Sequence, residues 1–131
     1  MTTTIETVEL AVLPSQNDDP ALVFYASENI TTKSLGGIDP DSYDPIPGLD
    51  PLVEAMIGRL NSVREISYFM ITEHTLTVYL ITGLDWTSLR EQHVAAILLE
   101  RFGMSELNRE KIYRLHDLDE GLAWLMDHTR S

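Results

Sequence analysis

Three aspartates, Asp39, Asp41 and Asp44, fall in the stretch IDPDSYDPIPGLD at a spacing from which loop carboxylates can converge on a hard divalent cation. A calcium loop of the EF-hand type opening at Asp39 needs glycine at its sixth position for the sharp turn and a bidentate glutamate at its twelfth. Asp44 and Asp50 stand there instead. No metal is assigned on this pattern. The expectation is a solvated acidic loop in which Asp39, Asp41 and Asp44 are the contact residues for a basic protein surface, the loop ordering as it binds.

The other chemistry-bearing residues do not assemble into a site. His74, His93, His116 and His128 include no pair at the four-residue spacing of a helical metal site, and no Glu-flanked zincin pattern occurs. His93 follows Leu89 by one helical turn, which predicts a buried or half-buried structural histidine. Ser42, Ser62, Ser67, Ser88 and Ser105 lack a Gly-x-Ser-x-Gly context, and Gly36-Gly37 lacks the downstream lysine of a phosphate loop. Asp117, Asp119 and Glu120 read as the acids of a helix N-terminus. There is no cysteine, which removes disulfides, thiol nucleophiles, cysteine-based zinc sites and thiolate ligation of an iron-sulfur cluster. The chain is expected to be neither an enzyme nor a cofactor holder.

Charge narrows the partners. The net charge is -12, and nine acids against Lys33 alone precede Pro51, with twelve acids against eight bases after it. Phosphate backbones are held by Lys and Arg, so direct nucleic-acid binding is not expected, and a protein with a basic surface fits better. No apolar run approaches the ~20 residues that cross a bilayer, so no membrane partner is expected. MTTTIETVEL lacks a basic stretch followed by an apolar one and carries acids, which points to the cytoplasm.

The elements that would carry these residues are legible from period and punctuation. Val8, Leu10 and Val12 alternate with Thr7, Glu9 and Ala11 in a first strand; PSQNDDP turns the chain into ALVFYA, a second strand in a hairpin with the first. From Asn29 to Asp50 the glycines and prolines predict an exposed loop. Asp50-Pro51 is a helix start, followed by Leu52, Met56, Ile57 and Leu60 at helical spacing with Val53 and Ala55 beside them. Val63 to Thr72 and Thr75 to Thr82 read as an antiparallel hairpin around Glu73-His74. In GLDWTSL, Asp85 is the expected N-cap with Leu84 and Leu89 as a hydrophobic staple, and Ser88 with Glu91 is a competing capping box. Val94, Ile97, Leu98 and Phe102 form the inner stripe of that helix. In the tail, Ser105 with Asn108 to Tyr113 suggests a short polar helix, and Leu118, Leu122, Leu125 and Met126 mark an amphipathic one that Trp124 pins to the body.

Four stretches, taken in order, resemble a known family. NDDPALVFY is similar to an Asn-Pro-x-x-Leu-Lys-Phe opening strand through Asn17, Leu22 and Phe24, with Asp18 and Asp19 where the family's motif is tighter. LDPLVEAMIGRLNSVREI is similar to a Ser-Pro-Leu-Ala helix and the Val-x-x-Val strand after it, through Pro51, Leu52, Ala55, Leu60, Val63 and Ile66. LTVYLITGLDW matches an Ile-Thr-Val strand and an Asp-Trp step at Thr77, Val78, Asp85 and Trp86, and VAAILLERF is similar to a last helix through Ala96, Ile97 and Phe102. Together these resemble the N-terminal domain of the Nfu/NifU-type iron-sulfur scaffold proteins over residues 17–102. In that family cluster ligation belongs to a separate domain with a Cys-x-x-Cys pair, which nothing here replaces. The resemblance therefore implies a protein-interaction or adaptor module of iron-sulfur assembly, not itself a cluster carrier.

The expected architecture is α+β: an antiparallel sheet of about four strands in ββαββα order with two helices on one face over 1–103, and a C-terminal helical extension over 104–131 packed on the same domain. The functional expectation is a non-catalytic interaction module. The alternative is a small acidic inhibitor or nucleic-acid mimic that occupies a basic surface on another protein.

Overall fold

The continuous apolar run ALVFYA over 21–26, rich in β-branched and aromatic residues, and the alternation of Leu76, Val78 and Leu80 with Thr75, Thr77 and Tyr79 make two strands, and these two become the centre of the sheet. A computed structural model describes residues 9–13, 21–31, 35–38, 48–81, 83–102 and 112–128. The fold is α+β. Its elements are β1 (Leu10–Leu13), β2 (Ala21–Ala26), β3 (Leu35–Ile38), α1 (Pro51–Asn61), β4 (Ile66–Ile71), β5 (Thr75–Leu80), α2 (Ser88–Glu100), β6 (Ile112–Arg114) and α3 (Leu118–His128). The strands form one sheet in the order β3-β4-β5-β2-β1-β6.

The hairpins β1-β2 and β4-β5 form as expected, and β2 pairs with β5 to join them, with Phe24 opposite Leu76 and Leu22 opposite Val78. The sheet departs from expectation at both edges. Leu35–Ile38, inside the stretch expected to be an exposed loop, is an edge strand antiparallel to β4. Ile112–Arg114, which overlaps the end of the expected polar helix, is an edge strand parallel to β1, so the sheet of the described residues is mixed and has six strands instead of about four. Edge strands take their hydrogen bonds from one neighbour and need little side-chain burial of their own. LGGI and IYR therefore carry almost no period-two signal.

The main core lies between one sheet face and α1 with α2. Leu10, Val12, Leu22, Phe24, Phe69, Ile71, Leu76 and Val78 from the strands meet Val53, Met56, Ile57 and Leu60 of α1 and Val94, Ile97 and Leu98 of α2. In α1 the buried stripe begins at Val53, and Leu52 faces out. Each of these buried side chains contributes about 1.5–3 kcal/mol. The ion pair between Arg59 of α1 and Glu100 of α2, at 2.6 Å but half exposed on both sides, adds at most about 1 kcal/mol. Packing, not charge, holds the two helices together.

Helix starts obey local chemistry with one correction. The Asp50 carboxylate accepts from the Leu52 N–H at 2.8 Å, and Pro51 occupies the first helical position as expected. At α2 the N-cap is Thr87, not Asp85 or Ser88: its hydroxyl accepts from the Arg90 N–H at 3.2 Å. The Asp85 carbonyl instead accepts from Arg90 Nη1 at 2.8 Å. With the start moved, the staple does not form, and Leu89 is exposed. Trp86 and Leu84 pack against the main core as partly buried residues. Thr87→Ala should cost about 1 kcal/mol in urea unfolding, whereas Asp85→Ala, which keeps the carbonyl contact, should cost a few tenths at most. Equal losses would contradict this cap assignment.

A second, smaller cluster occupies the opposite sheet face. Ala11 and Leu13 of β1 and Tyr25 of β2 point away from the main core, and Leu115 and Trp124 close over them. Thus α3 lies across the sheet from α1 and α2. The segment enters this face through the Leu115 N–H, which donates to the Val12 carbonyl at 2.8 Å.

Candidate interaction surface on the last helix

The three aspartates Asp39, Asp41 and Asp44 lie outside the described residues. The other candidates can be placed. His93 is exposed on α2 rather than buried, because the inner stripe passes through Val94 and Ile97 on the facing side. His74 is half-buried at the β4-β5 turn, its Nδ1 at 3.0 Å from the Ala26 carbonyl. His116 is exposed beside Glu120. Among the described residues no three His, Asp or Glu side chains come together as a metal site requires, and no helix is long and apolar enough to cross a membrane.

Helix α3 is the element whose geometry asks for an explanation. Its start is closed by acids, as expected. Asp117 Oδ1 accepts from the Glu120 N–H at 2.8 Å, and Glu120 Oε1 accepts from the His116 N–H at 2.7 Å, so both carboxylates satisfy donors at the positive end of the helix. Its inward side is set by Gly121 and Trp124. A Cβ atom at Gly121 would lie 2.7 Å from Tyr25 Cζ and Oη, so the helix backbone rides directly on the tyrosine ring, and Trp124 is only 6% exposed.

That rotation overturns the expected amphipathic face. Of the four apolar positions expected on that face, Leu125 packs against the smaller cluster, whereas Leu118, Leu122 and Met126 are 63%, 60% and 80% exposed. Residues four apart on a helix line up in one ridge. The three therefore make an apolar row about 12 Å long at 1.5 Å per residue. The adjacent row is Asp119, Ala123 and Asp127, all exposed. A hydrophobic ridge edged by carboxylates around a small central alanine is the shape of a helix-docking surface.

No family model, curated protein or solved structure matches the chain. The signal for this surface was present in the sequence: a glycine followed three residues later by tryptophan marks a close-approach side, and the leucine row lies one residue off that side.

Burial also marks Tyr25. Its hydroxyl is pushed up from the ordinary tyrosine value by desolvation between sheet and helix. The neutral form is favoured in the folded state, so this contribution to stability is complete below about pH 10, the unfolded value. It is lost as pH rises through the folded value, since the unfolded chain releases the proton first. In urea titrations from pH 9 to 11 the wild-type midpoint should fall more steeply than that of Tyr25→Phe. Parallel slopes would show that the hydroxyl is not desolvated.

Proposed function

We propose that the protein is a non-catalytic interaction module, working in the cytoplasm, that binds a partner protein through a basic surface and is kin to the N-terminal domain of iron-sulfur scaffold proteins. The observation that carries the interaction reading is the exposed apolar ridge of α3 bordered by Asp119 and Asp127 on a helix fixed by Gly121 and Trp124. Exposed rows of large apolar side chains cost solubility, and their combination with a flanking charge of one sign is a feature of partner-binding faces. The kinship rests on the motifs through Asn17, Leu22, Phe24, Pro51, Leu52, Thr77, Val78, Asp85 and Trp86. A mimic of nucleic acid would need carboxylates in one continuous stripe. Among the described acids, Glu54 and Glu100 stand on the helices over one sheet face and Asp119 and Asp127 on the helix over the other, a dispersal that supports the module over the mimic.

The test is affinity capture from cell extract on immobilised protein beside an acidic control of matched net charge. A partner retained on the protein and not on the control, released by raised salt, is the expected result. Identical retention on both would sink the reading.

A further inference from the structure

The surface on α3 specifies more than a partner in general. We propose that it docks one amphipathic helix of a partner protein, with apolar anchors at i, i+3, i+4 and i+7 and lysine or arginine along the rim. This rests on the interaction-module reading and names the partner's chemistry.

Four features fix the occupant. The ridge Leu118, Leu122, Met126 spans two helical turns, a length matched by one facing helix and too short for a broad protein face. Ala123 sits at the middle of the adjacent row, where a small side chain leaves a groove for the ridge of an incoming helix. Asp119 and Asp127 stand at the two ends of that row, so a cation near each end of the incoming helix completes the contact. Met126, the most exposed of the three, is unbranched and adapts to the shape of what covers it.

Charge also decides against a second copy of this chain. Two copies each bring -12, and an antiparallel pairing through the ridge would set Asp119 of one against Asp127 of the other. Like charges facing across an interface oppose it, most strongly at low salt. A basic helix meets the same carboxylates with the opposite sign. A nucleic-acid occupant is opposed by the same charge.

The probe is a synthetic 14-residue peptide with leucines at the four anchor positions and lysines elsewhere, titrated calorimetrically into the full chain. Two controls accompany it: the same composition scrambled so that no apolar face forms, and the amphipathic peptide with glutamate replacing lysine. The amphipathic lysine peptide should bind at least ten times more tightly than either control. Leu122→Asp and Met126→Gln, both at exposed positions that leave the circular dichroism spectrum unchanged, should each weaken it at least five-fold. Equal binding of the scrambled peptide would reduce the effect to bulk charge and overturn the proposal, as would unaltered binding by Leu122→Asp. Sedimentation showing a dimer that Leu122→Asp dissolves would overturn it in favour of self-association. If Leu122→Asp retains the same extract partner as the wild type, the interaction module stands and this docking site falls.

Discussion

Phe24→Ala should lower the stability of the whole domain by about 3–5 kcal/mol, whereas Trp124→Ala should release α3 from the sheet and leave the main core folded. Both side chains are large and buried, at 1% and 6% exposure. Their surroundings differ. Phe24 sits on β2 between β1 and β5, in a cluster of twenty-one buried residues drawn from the strands, α1, α2 and, at Ile30, the loop after β2. Trp124 closes a cluster of five, of which only Leu115 and Trp124 itself lie outside β1 and β2. The free energy of opening an element follows the apolar contacts that opening breaks, so α3 can detach at less than the global cost. Amide exchange separates the two outcomes. In Trp124→Ala the α3 amides should lose protection while those of β2 and β5 keep theirs. In Phe24→Ala protection should fall throughout, together with the urea midpoint. A uniform loss in both variants would mean that the two faces of the sheet unfold as one unit.

The same asymmetry explains what could be read from the sequence. The centre of the fold was legible because its rules are local: the β-branched and aromatic run ALVFYA and the alternation in TLTVYL make β2 and β5, and Asp50-Pro51 starts α1. The edges were not. Gly36 and Gly37 in β3 signal a loop by propensity, yet the hydrogen bonds of β4 hold that segment extended. β6 is three residues paired with β1, a contact a hundred residues away along the chain, and nothing in IYR announces it. At the start of α2, Asp85, Thr87 and Ser88 can all cap. Thr87 does so because its backbone is extended at ψ 165° where the helix begins. On α3 hydrophobicity pointed to the wrong face. Leu118, Leu122 and Met126 outnumber the inward Gly121 and Trp124, but a glycine has no transfer energy to show and its role is to let the backbone approach. Hydrophobicity alone therefore marks as the packed face the ridge that the helix leaves exposed. The candidate residues Asp39, Asp41 and Asp44 rest on charge and on the loop-forming residues around them, and they lie outside the described residues.

Two glycine-to-alanine substitutions, both in the middle of helices, should move stability in opposite directions. Gly58 of α1 is exposed, and a Cβ there meets nothing within 4 Å, so Gly58→Ala should stabilise by up to about 1 kcal/mol through helix propensity and a less flexible unfolded chain. Gly121→Ala has the same propensity gain, but its Cβ would lie 2.7 Å from both Cζ and Oη of Tyr25. Relief requires the tyrosine to move, and that ring is 5% exposed among Leu13, Leu115 and Trp124. Overpacking of this kind costs about 1–3 kcal/mol, enough to outweigh the propensity. The loss should appear where the helix meets the sheet: Trp124 emission shifts to the red as α3 lifts, while the far-ultraviolet spectrum changes little. Removing the obstacle tests the cause. In a Tyr25→Leu background the added methyl finds space, and Gly121→Ala should become neutral or stabilising, with a coupling of at least 1 kcal/mol between the two sites. Additive effects would show that Gly121 serves something other than the close approach to Tyr25. Because the ridge is exposed only while Gly121 and Trp124 hold the inward side, Gly121→Ala should also weaken the amphipathic lysine peptide, and Tyr25→Leu with Gly121→Ala should restore its binding.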